Sequence, residues 1–188
     1  MIQLSDHFDY KRLLRFTFPS VVMLVFTSIY GVVDGFFVSN YAGKTPFAAV
    51  NFIIPFLMIL GCVGFMFGTG GGALIAITMG AGREKKANEL FSMIVFVSAA
   101  CGVLLAVLGF ALLRPVASLM GAQGQLLRDC LTYGHMILPA VPFYVLQYEF
   151  QCLFATAGKP KLGLYVTAAA GITNIALDAL FVAGFHWG

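Results

Sequence analysis

Charge is what this sequence has least of. Asp, Glu, Lys and Arg make up 10% of its 188 residues, while 60% are hydrophobic, and the mean hydropathy is +0.92. That composition leaves too little polar surface to coat a water-soluble core, which excludes a soluble domain and implies a polytopic membrane protein. Cysteine is sparse as well. Cys62, Cys101, Cys130 and Cys152 are scattered with no C-x-x-C pair, and His7, His135 and His186 share no ligand spacing, so no disulfide framework or metal centre is indicated. No tandem repeat or low-complexity tract is present. The net charge of +3 comes from basic residues lying between apolar runs. They form no stripe along a helix, so nucleic acid is not an expected partner. Also missing is a short apolar stretch ending in a small-residue cleavage site, and the first apolar run is therefore read as a retained helix.

What is there is a set of five apolar runs, at about 16–41, 47–79, 91–113, 131–157 and 162–185. Each exceeds the roughly 20 residues that a helix needs to cross a bilayer. The expected class is an all-α polytopic membrane protein of about five transmembrane helices in a single domain. The second run is too long for one upright helix and should tilt, bend near Gly68–Gly72 or project beyond the bilayer. Basic residues in the connections set the orientation. With the N-terminus in the cytoplasm, Lys11, Arg12, Arg15, Arg83, Lys85, Lys86, Lys159 and Lys161 lie inside and only Lys44, Arg114 and Arg128 outside. Five crossings then put the C-terminal end of the chain on the extracytoplasmic side. The longest outer connection, 114–130, is expected to carry a short interfacial helix.

An ionisable residue inside a membrane span is costly and marks a bundle interior or an ion path. Asp34 lies about 19 residues beyond Arg15, roughly 28 Å of helix, and Asp178 about 17 residues beyond Lys161, roughly 25 Å. Both helices start on the cytoplasmic side, so the two carboxyls fall at a similar level in the outer half of the membrane. Asn174 precedes Asp178 by four positions and shares its face, with Gly171 and Thr167 further along it. Asn51 sits at a comparable depth. Carboxyl and amide oxygens in such a cluster suit a proton shared between acids or a small hard cation such as Na+. The residues do not choose between H+ and Na+, and structural hydrogen bonding within the bundle is the third use. Glu149 falls about ten residues before Lys159, roughly 15 Å in, near the midplane. Gln147, Tyr148 and Gln151 surround it on more than one helix face, so that these four, with Asn51, are read as the wall of a cavity. A satisfied contact between helices is the other reading of Glu149.

Gly64, Gly68, Gly72, Ala76 and Gly80 recur every four residues and form a close-packing face. The Gly68–Ala73 string also fits a loose G-x-G-x-x-A pattern, but with no strand before it a dinucleotide site is excluded. Gly43-Lys44-Thr45 resembles the end of a phosphate loop, yet position 38 is Val where Gly is required. Pro19, Pro55, Pro139 and Pro142 fall inside spans and permit bends. Nineteen Phe, seven Tyr and eight Met could line a pocket for flat or cationic apolar molecules, though most must serve packing and lipid contact.

The segment VVDGFFVSNYAGKTPFAAVNFIIP, with Pro19-Ser20 before it, resembles the opening of the multidrug and toxic compound extrusion (MATE) transporters. So do MGAGREKKANELFS, ILPAVPFYVLQYEFQCLFATAGKPKLG and AAAGITNIALDALFVAGF. The resemblance covers nearly the whole chain, and VVD and NIALD are its most specific parts. It implies a secondary antiporter of the cell membrane that exports organic cations or amphipathic drugs in exchange for H+ or Na+. No enzymatic activity and no cofactor beyond that ion are expected. The implied architecture is two six-helix bundles around a cavity, consistent with repeat-built alternating access. Asp34, Asn174 and Asp178 match the cation-site motif of the N-terminal bundle, and Pro19 matches a first-helix proline associated with bending. The chain stops after the fifth span, so it is expected to be a fragment whose partners are the bilayer, its small-molecule substrates and the missing sixth helix and second bundle. Three other readings remain. A lipid-linked oligosaccharide flippase of the same superfamily would more naturally hold Lys or Arg inside its spans. An intramembrane aspartyl protease would need a G-x-G-D setting that is absent here. The third is a truncated product that does not transport.

Overall fold

A computed structural model describes residues 10–185; residues 1–9, with His7, and residues 186–188, with His186, lie outside the described residues. Every regular element among those described is helical. The chain divides into two compact units, one of residues 44–152 and the other of the segments before Lys44 and after Cys152.

In the unit of residues 44–152, α2 (Lys44–Met66) passes through a π-helical turn at Phe67–Gly71 into α3 (Gly72–Gly80). Then α4 spans Glu84–Leu119. α5 (Gly124–Ile137) and α6 (Val141–Thr156) follow, joined by a 3-10 turn at Leu138–Ala140. The core is built from one stripe of each helix: Ile53, Leu113, Cys130, Leu138, Val141 and Val145 are essentially inaccessible. Glycines set the spacing. A Cβ at Gly61 would meet the rings of Tyr144 and Tyr148, and one at Gly64 would run into the Val145 carbonyl. Gly102 is pressed likewise against Pro142, and Gly134 against Leu113. These are backbone-to-neighbour contacts of the kind that hold membrane helices together where water supplies no driving force between them.

The other unit pairs α1 (Tyr10–Phe37) with α7 (Pro160–Leu177). Each helix ends in a π-helical segment, Val38–Ala42 and Asp178–Gly184, and these two segments also touch. Gly171 lets α1 approach, since a Cβ there would come within 2.9 Å of the Tyr30 ring. Large apolar side chains of α1, such as Phe18, Val32 and Phe36, are exposed, as suits surfaces that face lipid or further helices.

Four continuous helical runs among the described residues are long and apolar enough to cross a membrane: 13–41, 44–80, 84–119 and 160–181. The stretch expected as a single helix over 131–157 is divided instead. Pro139 and Pro142 remove two backbone donors within four residues, so the α-helical ladder lapses into the 3-10 turn and restarts with Pro142 in the first turn of α6. The interfacial helix expected within 114–130 is also absent as a separate element. α4 runs on past Arg114 and Pro115 to Leu119, and α5 starts at Gly124.

Three helices stop by one device. After α3, α4 and α6 the residues Gly82, Gly121 and Gly158 take φ of 72°, 100° and 68°. In each case the next amide reaches back five residues, as in Ala122 to Ala117 at 3.0 Å, while the glycine amide reaches back three, as in Gly121 to Ser118 at 3.0 Å. This is the Schellman arrangement, in which the left-handed position favours glycine. Nothing lies within 4 Å of a Cβ built at Gly121, so a substitution there meets a backbone penalty alone. Gly121→Val should lower stability by about 1–2 kcal/mol, measured as a drop in the thermal midpoint in detergent. An unchanged midpoint would show that the turn does not need its positive φ.

Candidate functional site

In the α1–α7 unit the contact at Tyr30 and Gly171 fixes the register. One turn beyond Tyr30 stands Asp34; one and two turns beyond Gly171 stand Asn174 and Asp178. The helices advance in the same direction, so the acids come together, and Asp34 is close enough for its charge to be felt at Asp178. All three side chains are half-buried. Asn174 Oδ1 and Asp178 Oδ2 are fully enclosed with no hydrogen-bond partner. Leaving such an acceptor unsatisfied costs about 1–3 kcal/mol, and here two orphaned oxygens stand beside a second carboxyl. Every unfilled position is an acceptor. A cation or a proton is what would satisfy them.

The local backbone supports the same focus. Asp178 opens the π-helical segment Asp178–Gly184, and the corresponding segment of α1 begins four residues after Asp34. Wider π turns cluster at functional sites because they break the regular i→i+4 ladder and re-aim side chains. Pro19, one of the few buried positions of α1, lies inside a helix that continues through it. It has no N–H to give the Arg15 carbonyl, so the helical ladder lacks one hydrogen bond at this point.

The proposed cavity residues do not share one environment. Asn51 belongs to the other unit; it is exposed, and its amide Nδ2 donates to the Phe47 carbonyl at 2.9 Å. Gln147 is exposed and Gln151 half-buried. Tyr148 pairs its hydroxyl with that of Tyr144 at 2.8 Å and stacks on Phe65 with ring centroids 4.4 Å apart. Glu149, for which a cavity wall and a contact between helices are the two readings, is 0% exposed and so lies in a contact between helices. It is enclosed between α4, whose Ser98 hydroxyl meets its Oε2, and the Phe67–Gly71 turn, where a Cβ on Gly68 would come within 2.9 Å of the Glu149 carbonyl oxygen. A lone serine among apolar and small residues gives no periodic polar signal, so the sequence alone does not mark Ser98.

Of the expected small-residue face, Gly64, Gly68 and Gly72 are buried and Gly80 is exposed. Gly61, Gly64 and Gly68 pack on α6, whereas Gly80 has nothing within 4 Å of a built Cβ. Gly72 is buried just past the π turn, and its neighbour Gly71 meets Ile94. Beyond the turn burial passes from Gly72 to Ile75, and the end of α3 at Gly80 is exposed.

Membrane-length helices and small-residue packing define a polytopic helical membrane protein, and the enclosed acceptor oxygens of Asn174 and Asp178 mark its candidate site. The family pattern described as MatE matches residues 19–180, and the chain belongs to that family. It is 24% identical over 177 residues to the multidrug export protein MepA of Staphylococcus haemolyticus, covering 94% of this chain and 39% of that protein. A MATE crystal structure in complex with MaD3S superposes with a TM-score of 0.85 at 21% identity over 93% of this chain and 39% of that one. An outward-facing multidrug resistance MATE family transporter superposes at 0.82 and 21% identity over 90% and 37%. The chain thus has the fold of part of a MATE transporter and spans about 39% of the length of the MepA proteins it matches.

Proposed function

We propose that this chain is the N-terminal portion of a secondary antiporter of the cell membrane that exports organic cations or amphipathic drugs, with Asp34, Asn174 and Asp178 as the coupling-ion site. The observation that carries this reading is the pair of enclosed, unpartnered oxygens on Asn174 and Asp178 beside Asp34. Family membership supports transport, and multidrug export is what its MepA relatives are named for.

The chemistry follows from the charges. With the site empty, two carboxyls face one another in a medium that screens them poorly, and the conformation that lets water reach them is favoured. A bound H+ or Na+ removes the repulsion and fills the orphaned acceptors, so the enclosed conformation becomes the better one. An ion gradient drives export only if the two conformations bind the ion with different affinity. The bend point at Pro19 and the π segments next to both acids are where such a change is cheapest in lost hydrogen bonds.

The test uses the complete transporter that contains this sequence, reconstituted in liposomes with a fluorescent cationic dye. Dye movement should be accelerated by an imposed H+ or Na+ gradient and should reverse when the gradient is reversed. Transport indifferent to both gradients would defeat the antiport mechanism.

A further inference from the structure

Among the described residues, one carboxylic side chain, that of Glu149, is completely enclosed. Glu149 is 0% exposed, its Oε2 faces the Ser98 hydroxyl and its Oε1 has no hydrogen-bond partner. An ionised carboxylate in that position would need a counter-charge, because burying it unpaired costs several kcal/mol. None is at hand. Residues 45–82, 87–113 and 129–158 contain no Lys or Arg. The Phe67–Gly71 turn carries no titratable group, and the spanning part of α4 around Ser98 offers only Cys101. Cys152 lies on α6 itself. The charged residues of α4 nearest Ser98, Glu89 and Lys86, lie nine or more residues away, at least about 13 Å along the helix.

The hydrogen-bond pattern points the same way. Ser98 Oγ carries one hydrogen, and the oxygen lies 3.0 Å from the Val95 carbonyl oxygen as well as against Glu149 Oε2. One proton cannot satisfy both. A neutral Glu149 resolves this: its O–H donates to Ser98 Oγ, and the serine hydrogen goes to Val95 O. Among the described residues the only side-chain oxygen against the carboxyl is that of Ser98, far short of the roughly six oxygens a hard metal ion takes.

We propose that Glu149 and Ser98 form a proton-binding site within residues 44–152, in which Glu149 stands as a carboxylic acid donating to Ser98. It does not depend on the role given to Asp34 and Asp178, which lie in the other unit.

Infrared spectroscopy of the full chain in lipid bilayers at neutral pH tests this, using glutamate labelled with 13C at the side-chain carboxyl. The sequence has three glutamates, and Glu84 and Glu89 are water-exposed, which leaves Glu149 as the enclosed source of a label-sensitive acid C=O band. That band should be present, should move to higher frequency in Ser98→Ala as its hydrogen bond is lost, and should vanish in Glu149→Gln. If Glu149→Gln does not fold, the labelled protein and Ser98→Ala suffice. Carboxylate bands alone from the labelled glutamates, or an acid band indifferent to Ser98→Ala, would overturn the assignment.

Discussion

Asp178→Asn and Asp34→Asn, each made in the complete transporter, should raise the accumulation of a fluorescent cationic dye in cells to that of cells without any transporter. Asparagine keeps the size and the carbonyl oxygen of aspartate, so packing against α1 and α7 is preserved while the charge is lost. A site of two carboxyls and one amide can switch between a repelling and a neutralised state. With one carboxyl replaced, the repulsion is absent in both conformations, and the ion no longer distinguishes them. Efflux should therefore vanish, with transporter levels in the membrane unchanged. Asn174→Ala removes one acceptor and leaves both charges, so its effect should be smaller, about tenfold weaker ion affinity for roughly 1.4 kcal/mol of lost interaction. Normal efflux in both aspartate variants would eliminate the site as the coupling element.

Gly64→Leu should have the largest effect on folding. The Cβ alone would drive into the Val145 carbonyl and sit 3.0 Å from Tyr148 Cβ. Both are on α6, and a backbone carbonyl cannot rotate away as a side chain can. α2 and α6 must separate, with a penalty at the upper end of the 1–3 kcal/mol typical of overpacking or beyond it. The loss reaches the Glu149 enclosure as well, because Gly68 lies one turn further along the same contact. Gly80→Ala, with open space around the built Cβ, should instead be neutral or stabilise the helix by up to about 1 kcal/mol. Folded yield after detergent extraction and the thermal midpoint measure both. Equal behaviour of the two variants would show that the α2–α6 approach does not hold the unit together.

Much of the fold is legible in the residues because a bilayer imposes length and apolarity on each crossing. The runs containing Asp34 and Asp178 show both the helices and the acids they carry, and counting from Arg15 and Lys161 places those acids at one depth without any contact being known. Breaks are harder to read. Pro139 and Pro142 are visible, yet a membrane proline can sit in a continuous helix, as Pro19 and Pro55 do. Whether a proline bends or interrupts depends on neighbours that satisfy the freed carbonyls. The π turns carry no residue signature beyond glycine at 68–72, so where the helices widen is not marked in the sequence.

By itself, the sequence determined that this is a helical membrane protein with acids at a shared level, since hydrophobic length and charge are properties of the chain alone. Only the tertiary structure decided which polar groups have partners. Asn51 turns to its own helix, Asn174 and Asp178 hold enclosed oxygens with none, and Glu149 meets Ser98 while its backbone packs on Gly68. The physical reason is that hydrogen bonding and enclosure are relations between helices, fixed by how closely two backbones approach, and glycine permits that approach without specifying what will fill it.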